Sequence, residues 1–439
     1  MLTSMAIPES PYSSNHLHKL ETRDLLLGMF IADLDCNWSK TPFPIGGFHL
    51  RKPDDIQLLQ KFCKFVFIDL NMGVVPKAMN PNQLTMLSSA RKAVPVPAAL
   101  KIDRDAYSDT KTIKQSIDKA FELYTELQEC FQKTTLAVRN GDDLNLKDIQ
   151  KPMEAMIDCV IANPQTLIWL LNTDPSTIKT SDYCVRASIW AMVLARQIGM
   201  NRNQMTVLFQ GTLLADIGMY LLPEKLVNKR GAFRKKEFLA YRKHVEFGLE
   251  LLAQHKELDD RISTILHCHH ERHDGRGFPR RLRGEQIPAL ARFANLAYCF
   301  ERLLGSNLPA GKCSPAKAMS KLYKQRVLKF PEQLVSEFIH ILGMYPVGTV
   351  LTLATKELAI VLEQNPVEKL FPRVALLTSP DGTVLKEPKT IDLVNEKNAE
   401  QSRAIVGVPD VNKLAIKPSD YTFRFSGKKL GLGPIKFRL

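Results

Sequence analysis

The chain has 439 residues, 45% hydrophobic and 24% charged, the balance of a globular protein long enough for two or three domains. Its formal net charge of +14 suits anionic partners such as nucleotides or acidic protein faces, while the lack of a zinc-finger pattern or aromatic-basic platform argues against nucleic acid. The eight cysteines are scattered without a CxxC pair, which suits reduced thiols better than a disulfide framework, and no apolar stretch reaches the length of a membrane span. With no basic start and apolar core of a signal peptide, the expected location is the cytoplasm.

Residues 1–18 read as a flexible polar lead. From 19 to 90 the pattern is mixed α+β. Phe48–Leu50 and Phe65–Leu70 are short β-forming runs, and Ile56, Leu59 and Phe62 carry helical spacing between Pro53 and Cys63. Residues 91–145 read as a proline-bearing linker followed by an amphipathic helix at 106–140, stopped by Gly141. Helices are then expected at 147–162, 182–199, 202–215, 235–254, 258–271, 288–305, 314–325 and 331–342. Residues 146–344 therefore form a helical bundle on this reading. Residues 345–408 turn β-rich, with strands at Thr349–Ala354, Glu357–Leu362 and Val374–Leu377 and a turn at Asp381-Gly382. Residues 409–439 are basic and glycine-containing, and disorder is expected there. The fold class is mainly α, a helical bundle with a small N-terminal α+β domain and a short β-rich C-terminal segment.

Six of the ten histidines fall between 244 and 273, and HCHHERHDGRGFP (267–279) is too rich in ligand chemistry to be ordinary composition. Adjacent residues on a helix point about 100° apart. His269 and His270 are therefore expected to serve two ions, or an ion and a phosphate, with other ligands on facing helices. Two metals about 4 Å apart are the arrangement that phosphodiester hydrolysis uses. Two basic clusters stand out, Lys225 to Lys236 and the denser group Arg276, Arg280, Arg281 and Arg283.

HHERHDGRGFP (269–279) resembles the HD-GYP signature HHExxDGxGYP, with Phe278 at the tyrosine position and the other seven fixed letters matched. YCVRASIWAMVLARQIGM (183–200) is similar to that family's first core helix, and LLADIGMYLLPEKLVNKRGAFRKKEF (213–238) to its HD helix and the connection after it. YRKHVEFGLELL (241–252) carries His244 in an HxxxGxxIL-like pattern. The stretch LLLGMFIADLDCNWSKTPFPIGGFHL (25–50) resembles the DUF3391-type domain that precedes some HD-GYP domains, so the likeness covers residues 19–380.

The resemblance implies an HD-type bundle and metal-dependent phosphodiesterase chemistry in bacterial cyclic-di-GMP signalling, using iron, manganese or zinc. Carried over residue by residue, it retains Asp216, His244, His269 and His270 as metal ligands, Asp216 being the vestige of the HD dyad. Three ligand positions are lost, to Tyr183, Ala215 and Tyr298. Met219 replaces the family's lysine, and positions that contact cyclic-di-GMP are lost within Leu304–Lys312. Alanine has no lone pair, and a neutral tyrosine is a poor ligand for hard divalent ions. A binuclear centre is not expected, and any single ion would be weakly held. The turn Arg276, Gly277, Phe278, Pro279, Arg280, Arg281 is retained, and in the family this surface is implicated in contacts with GGDEF-domain cyclases. Three readings follow. One is a catalytically impaired protein that binds a partner or cyclic-di-GMP; another is a residually active cyclic-di-GMP phosphodiesterase; the third is a phosphohydrolase of another nucleotide.

Overall fold

Two units divide the chain, Met1–Val96 and Pro97–Leu439. The computed structural model describes residues 17–36, 48–50, 52–69, 102–173, 180–227, 229, 232–305, 313–365, 368, 370–396, 403–410, 414, 416, 421–424 and 431–434.

The first unit is an antiparallel sheet with one helix. Strands β1 (Leu17–Glu21), β2 (Phe30–Leu34), β3 (Phe48–His49) and β4 (Phe65–Asp69) lie in the order β1-β4-β2-β3. Helix α1 (Pro53–Phe62) starts with a proline in its first turn and Asp54 and Asp55 where the helix dipole favours acid. Leu25, Met29, Ile31, Leu34, Leu59 and Val66 are among the side chains of its core. Strand β1 corrects the sequence reading at its edge: Leu17 and His18 belong to a paired strand rather than to a flexible lead. The linker expected from residue 91 lies, as far as residue 101, outside the described residues.

The second unit's first helix is α2 (Ile113–Asn140), which starts seven residues after the expected 106. Thr112 decides the start: its Oγ1 accepts from the Gln115 backbone at 3.3 Å, and Gln115 Oε1 accepts from the Thr112 N–H at 2.9 Å. Gly141, at φ 88°, ends the helix. There follow α3 (Lys147–Ala162), α4 (Pro164–Thr173), α5 (Thr180–Gln197), α6 (Arg202–Leu214), a 3-10 turn (Ile217–Leu221) and the short α7 (Glu224–Val227). Then come α8 (Lys235–Arg242), α9 (His244–Leu252), α10 (Asp260–Cys268), α11 (Ala289–Leu304), α12 (Pro315–Lys324) and α13 (Glu332–Leu342). Among the described residues no helix is long and apolar enough to cross a membrane.

Helix α5 is apolar almost all round, so it lies at the centre of the bundle, against α6 and α11. Trp190 meets Phe300 edge-on at 5.0 Å and Phe338 at 6.2 Å. Beyond α13, β5 (Val350–Leu353), β6 (Leu358–Glu363), β7 (Arg373–Thr378), β8 (Val384–Asp392) and β9 (Ile405–Gly407) form an antiparallel sheet in the order β8-β7-β6-β5-β9. Strand alternation gives it two buried faces. Ile360, Leu362, Ala375 and Leu377 join the helical core, while Ala359, Val361, Val374 and Leu376 form a second cluster with Leu351 and Leu353.

Four differences from the sequence reading have local causes. The helix expected at 235–254 breaks at Lys243 into α8 and α9, and the one expected at 258–271 stops at Cys268. Strand β8 was missed because Pro388 argues against a strand, yet β8 is an edge, where a missing N–H costs little. Tyr421–Arg424 (β10) and Gly431–Pro434 (β11) pair antiparallel within the tail expected to be disordered. There the basic, glycine-bearing composition obscured a short β-forming run.

The 3-10 turn after α6 touches α9 through glycine. A Cβ at Gly218 would lie 2.0 Å from the His244 carbonyl oxygen and 2.5 Å from the Gly248 nitrogen. Gly218→Ala is therefore expected to destabilise the protein by about 1–3 kcal/mol through overpacking. Urea denaturation checks it, and an unchanged midpoint would show that α9 is free to shift.

Candidate metal centre

The end of α6 sets the first residue of the site. Ala215 closes the helix with its N–H on the Thr212 carbonyl at 3.2 Å, and Asp216 follows as the chain tightens into the 3-10 turn. The close approach at Gly218 brings α9 alongside, so His244, its first residue, faces Asp216. His244 Nδ1 lies 2.6 Å from the Tyr241 carbonyl oxygen, and His269 Nδ1 lies 2.6 Å from that of Leu266. Each ring thus donates from Nδ1 and keeps the Nε2 lone pair for the site.

Both of these Nε2 atoms stand 3.3 Å from Asp216 Oδ1. His270 Nε2 is 4.0 Å from the same oxygen and 3.1 Å from His244 Nε2. One donor atom from each of the four residues falls within 4.8 Å of the others. The early end of α10 makes this arrangement. On a continued helix His269 and His270 would diverge, but they sit in the turn beyond Cys268 with ring centroids 4.0 Å apart. Where the sequence reading has them serve two ions, or an ion and a phosphate, the structure turns both rings toward Asp216 and His244.

The centre is nearly sealed, His244 and His269 being fully buried. Asp216 Oδ1 and His269 Nε2 are buried without a well-aligned hydrogen bond, although they are close enough to interact electrostatically. Burial works against the Asp216 charge. Hydrogen-bonding contact with His269 and the positive field around the site, to which Arg302 contributes, nonetheless hold the carboxyl below its ordinary value. Burial pushes His244 below the usual histidine range, and His270 well below it. An ionised Asp216 beside neutral His244 and His270 is the protonation state a metal requires. Two unpartnered, inward-facing donors with two further nitrogens fit one divalent ion of the zinc, iron or manganese class.

These shifts set a pH dependence. The unfolded chain takes up protons near pH 6.5 on histidines that stay neutral in the folded chain, so stability falls as pH drops below that value. Asp216 has the opposite chemistry with the same result: its depressed carboxyl stabilises the fold above about pH 3.9, and that contribution disappears as pH falls through the folded value. With chelator present, the urea midpoint is expected to decrease from pH 7 to pH 5, and less steeply in His270→Gln. A flat profile would contradict the neutral imidazoles.

Tyr183, Ala215 and Tyr298, the three positions where the sequence reading expects a ligand to be missing, are filled rather than hollow. Tyr183 donates its hydroxyl to the Tyr298 carbonyl at 2.8 Å, and Tyr298 donates to the Thr212 carbonyl at 2.9 Å. Their rings pack 5.2 Å apart, and Tyr298 lies 5.7 Å from His269. Burial raises both phenols well above the usual tyrosine range, so neither offers a phenolate. Ala215 is fully buried. Met219 is buried too, and its N–H bonds the Asp216 carbonyl at 2.9 Å.

Glu271 takes no part in the cluster. Its buried carboxylate accepts from the Arg280 N–H at 2.7 Å and the Leu282 N–H at 3.0 Å, which fastens the turn 276–281 to the bundle. Gly277 is required because a Cβ would lie 2.4–2.6 Å from backbone atoms of Arg272, Glu271 and His270. Phe278, joined to Pro279 by a cis peptide bond, stacks on His270 at 4.4 Å. Arg276, Arg280, Arg281 and Arg283 are exposed. Asp274 is held by Arg272 at 2.6 Å and accepts from the Arg276 N–H at 3.0 Å.

Sequence reasoning missed the aromatic wall of the site. Tyr241 lies 4.8 Å from His244, Phe238 lies 5.7 Å from Phe278, and the Arg242 guanidinium sits 5.1 Å over the Phe278 ring. Their three- and four-residue spacing on α8 was the available signal. Arg302, four residues after Tyr298, was missed as well. The positions proposed as lost at 306–312 lie outside the described residues.

Two family matches cover much of the chain: residues 17–149 match a domain of unknown function (DUF3391), and residues 165–333 match the HD domain. A cyclic di-GMP phosphodiesterase of Pseudomonas aeruginosa is 26% identical over 89% of this chain and 92% of its own length. A 3'3'-cGAMP-specific phosphodiesterase of Vibrio cholerae is 27% identical over 55% of this chain and 48% of its own. A cyclic di-GMP phosphodiesterase response regulator of Xanthomonas campestris is 29% identical over 36% of this chain and 43% of its own. The chain thus spans about half or less of the latter two. Among solved structures, an HDG"Y"P protein from Bdellovibrio bacteriovorus aligns at TM-score 0.44 and 19% identity, over 74% of this chain and 99% of that one. Residues 17–149 are thus a DUF3391 domain and residues 165–333 an HD domain, whose HHERHDGRGFP turn and Asp216–histidine cluster are similar to those of the HD-GYP type.

Proposed function

We propose that the chain works in cyclic-di-GMP signalling through an HD-GYP domain impaired as a hydrolase, acting by binding a partner or ligand. The commitment of both tyrosine hydroxyls to backbone carbonyls carries this reading, because a second metal ion would find no ligand at Tyr183, Ala215 or Tyr298. Two-metal hydrolysis needs one ion on each side of the transferred phosphoryl group. Burial adds to the impairment: among the four cluster side chains His270 is the most exposed, at 17%, and Phe278 stacks on it. The exposed arginines of the turn supply planar, charged donors suited to a phosphate or an acidic surface such as that of a GGDEF-domain cyclase.

The converging donors favour one alternative, a slow single-metal phosphodiesterase. Asp216, His244, His269 and His270 would hold that ion, which when bound would supply Lewis-acid polarisation of a phosphoryl oxygen. The chain's own contribution would be to keep Asp216 ionised, to keep His244 and His270 neutral through burial, to orient the His244 and His269 rings through their carbonyl partners, and to exclude water with Phe278 and Tyr241.

Metal content by mass spectrometry and turnover of cyclic-di-GMP and 3'3'-cGAMP, with iron, manganese or zinc added, test the reading. The expected result is at most one ion per chain, retained nucleotide or partner binding, and turnover reduced to background. Turnover abolished by His269→Ala would establish the single-metal enzyme instead.

A further inference from the structure

We propose that Cys36 and Cys63, in the first unit, are a dithiol that a hydroperoxide converts reversibly into a disulfide. The two sulfurs stand 3.1 Å apart although 27 residues separate them in sequence. The sheet makes the meeting. Leu34 of β2 pairs with Val66 of β4, so the strand ends run on side by side toward residues 36 and 64. Asp35 clamps those ends together, its Oδ2 accepting from the Lys64 N–H at 2.9 Å and the Phe65 N–H at 3.3 Å. Cys63 closes α1, with its N–H on the Leu59 carbonyl at 2.8 Å. Both sulfurs are therefore positioned by backbone structure.

Asp35, Cys36 and Cys63 could also gather around a metal ion. Distance decides against it. Two thiolates on one tetrahedral zinc, each at about 2.3 Å, stand about 3.7 Å apart. At 3.1 Å the sulfurs are closer than that, and one oxygen of Asp35 is already taken by two N–H groups.

Exposure assigns the order of events. Cys36 is half-buried and Cys63 is 5% exposed, so the oxidant meets Cys36 first. The Cys36 thiolate attacks the outer oxygen of the hydroperoxide. The O–O bond breaks, an alcohol (water, for hydrogen peroxide) leaves with a proton, and Cys36 becomes a sulfenic acid. Cys63 sulfur then attacks the Cys36 sulfur, the S–O bond breaks, and the hydroxyl departs as water with the Cys63 proton. Two thiols lose two electrons and the hydroperoxide gains them. Burial pushes the Cys63 thiol up, which suits a resolving partner rather than the first nucleophile.

The test uses the full chain, with hydrogen peroxide as oxidant, maleimide trapping and peptide mass mapping. A cross-linked Cys36–Cys63 peptide is expected, with two fewer free thiols per chain, restored by dithiothreitol. It should form at least about tenfold faster than the other cysteines react. In Cys63→Ser, dimedone should label Cys36; in Cys36→Ser, Cys63 should stay unreacted. The proposal fails if Cys36 and Cys63 of the unmodified chain remain alkylatable while other cysteines oxidise. It fails equally if the isolated protein carries zinc that both serine variants lose. The mapping on the unmodified chain decides even if a variant does not fold.

Discussion

Replacing Glu301 with alanine is expected to cost about 3–5 kcal/mol of stability, because it strands a buried charge. Glu301 is fully buried on α11, and Arg186 on α5 is 4% exposed. The guanidinium Nε lies 2.6 Å from one carboxylate oxygen, while the Trp190 indole N–H donates to the other at 2.8 Å. Arg186 also donates to the Leu171 carbonyl at 2.6 Å. One carboxylate thus joins the two central helices and fixes the largest ring of the core. Its removal takes away the carboxylate that faces the buried guanidinium and the acceptor of the Trp190 indole N–H. Against a total of about 5–15 kcal/mol for a typical domain, such a loss is decisive. Glu301→Gln keeps an acceptor for Trp190 and should cost less. Urea denaturation of the two variants measures the difference; a loss under about 1 kcal/mol for alanine would mean that water reaches Arg186.

His269→Ala is expected to weaken divalent-metal binding by more than the roughly 10–100-fold that follows disturbance of an outer-shell partner, since it removes a donor itself. Tyr298→Phe is the informative companion. Its hydroxyl is turned to the Thr212 carbonyl, so its removal should leave metal affinity unchanged and cost only about 1 kcal/mol of stability. Titration with zinc or manganese, read by calorimetry, separates the two. If Tyr298→Phe lost metal as severely as His269→Ala, the tyrosine would be a ligand and the single-ion reading would fall.

Sequence alone was enough for the local and periodic features. Apolar residues at three- and four-residue steps mark α2, because a helix with one buried face must show its side chains at the period of its backbone. The turn from His269 to Pro279 declares itself because a close backbone approach at Gly277 and a buried acid at Glu271 leave few residue types that fit. The four polar residues of the centre were named from the resemblance to the HD-GYP pattern, and the structure brings them within reach of one another.

Other features depend on contacts between distant segments. Whether His269 and His270 diverge or converge turns on where α10 stops, within two residues, which periodicity does not resolve. The partners chosen by the tyrosine hydroxyls at 183 and 298 depend on a carbonyl 115 residues away in one case and 86 in the other. The Arg186–Glu301 pair and the Cys36–Cys63 contact are likewise long-range. Composition and spacing identify which side chains can do chemistry. Only packing decides which of them meet, because a buried polar atom must take whatever partner the fold brings within reach.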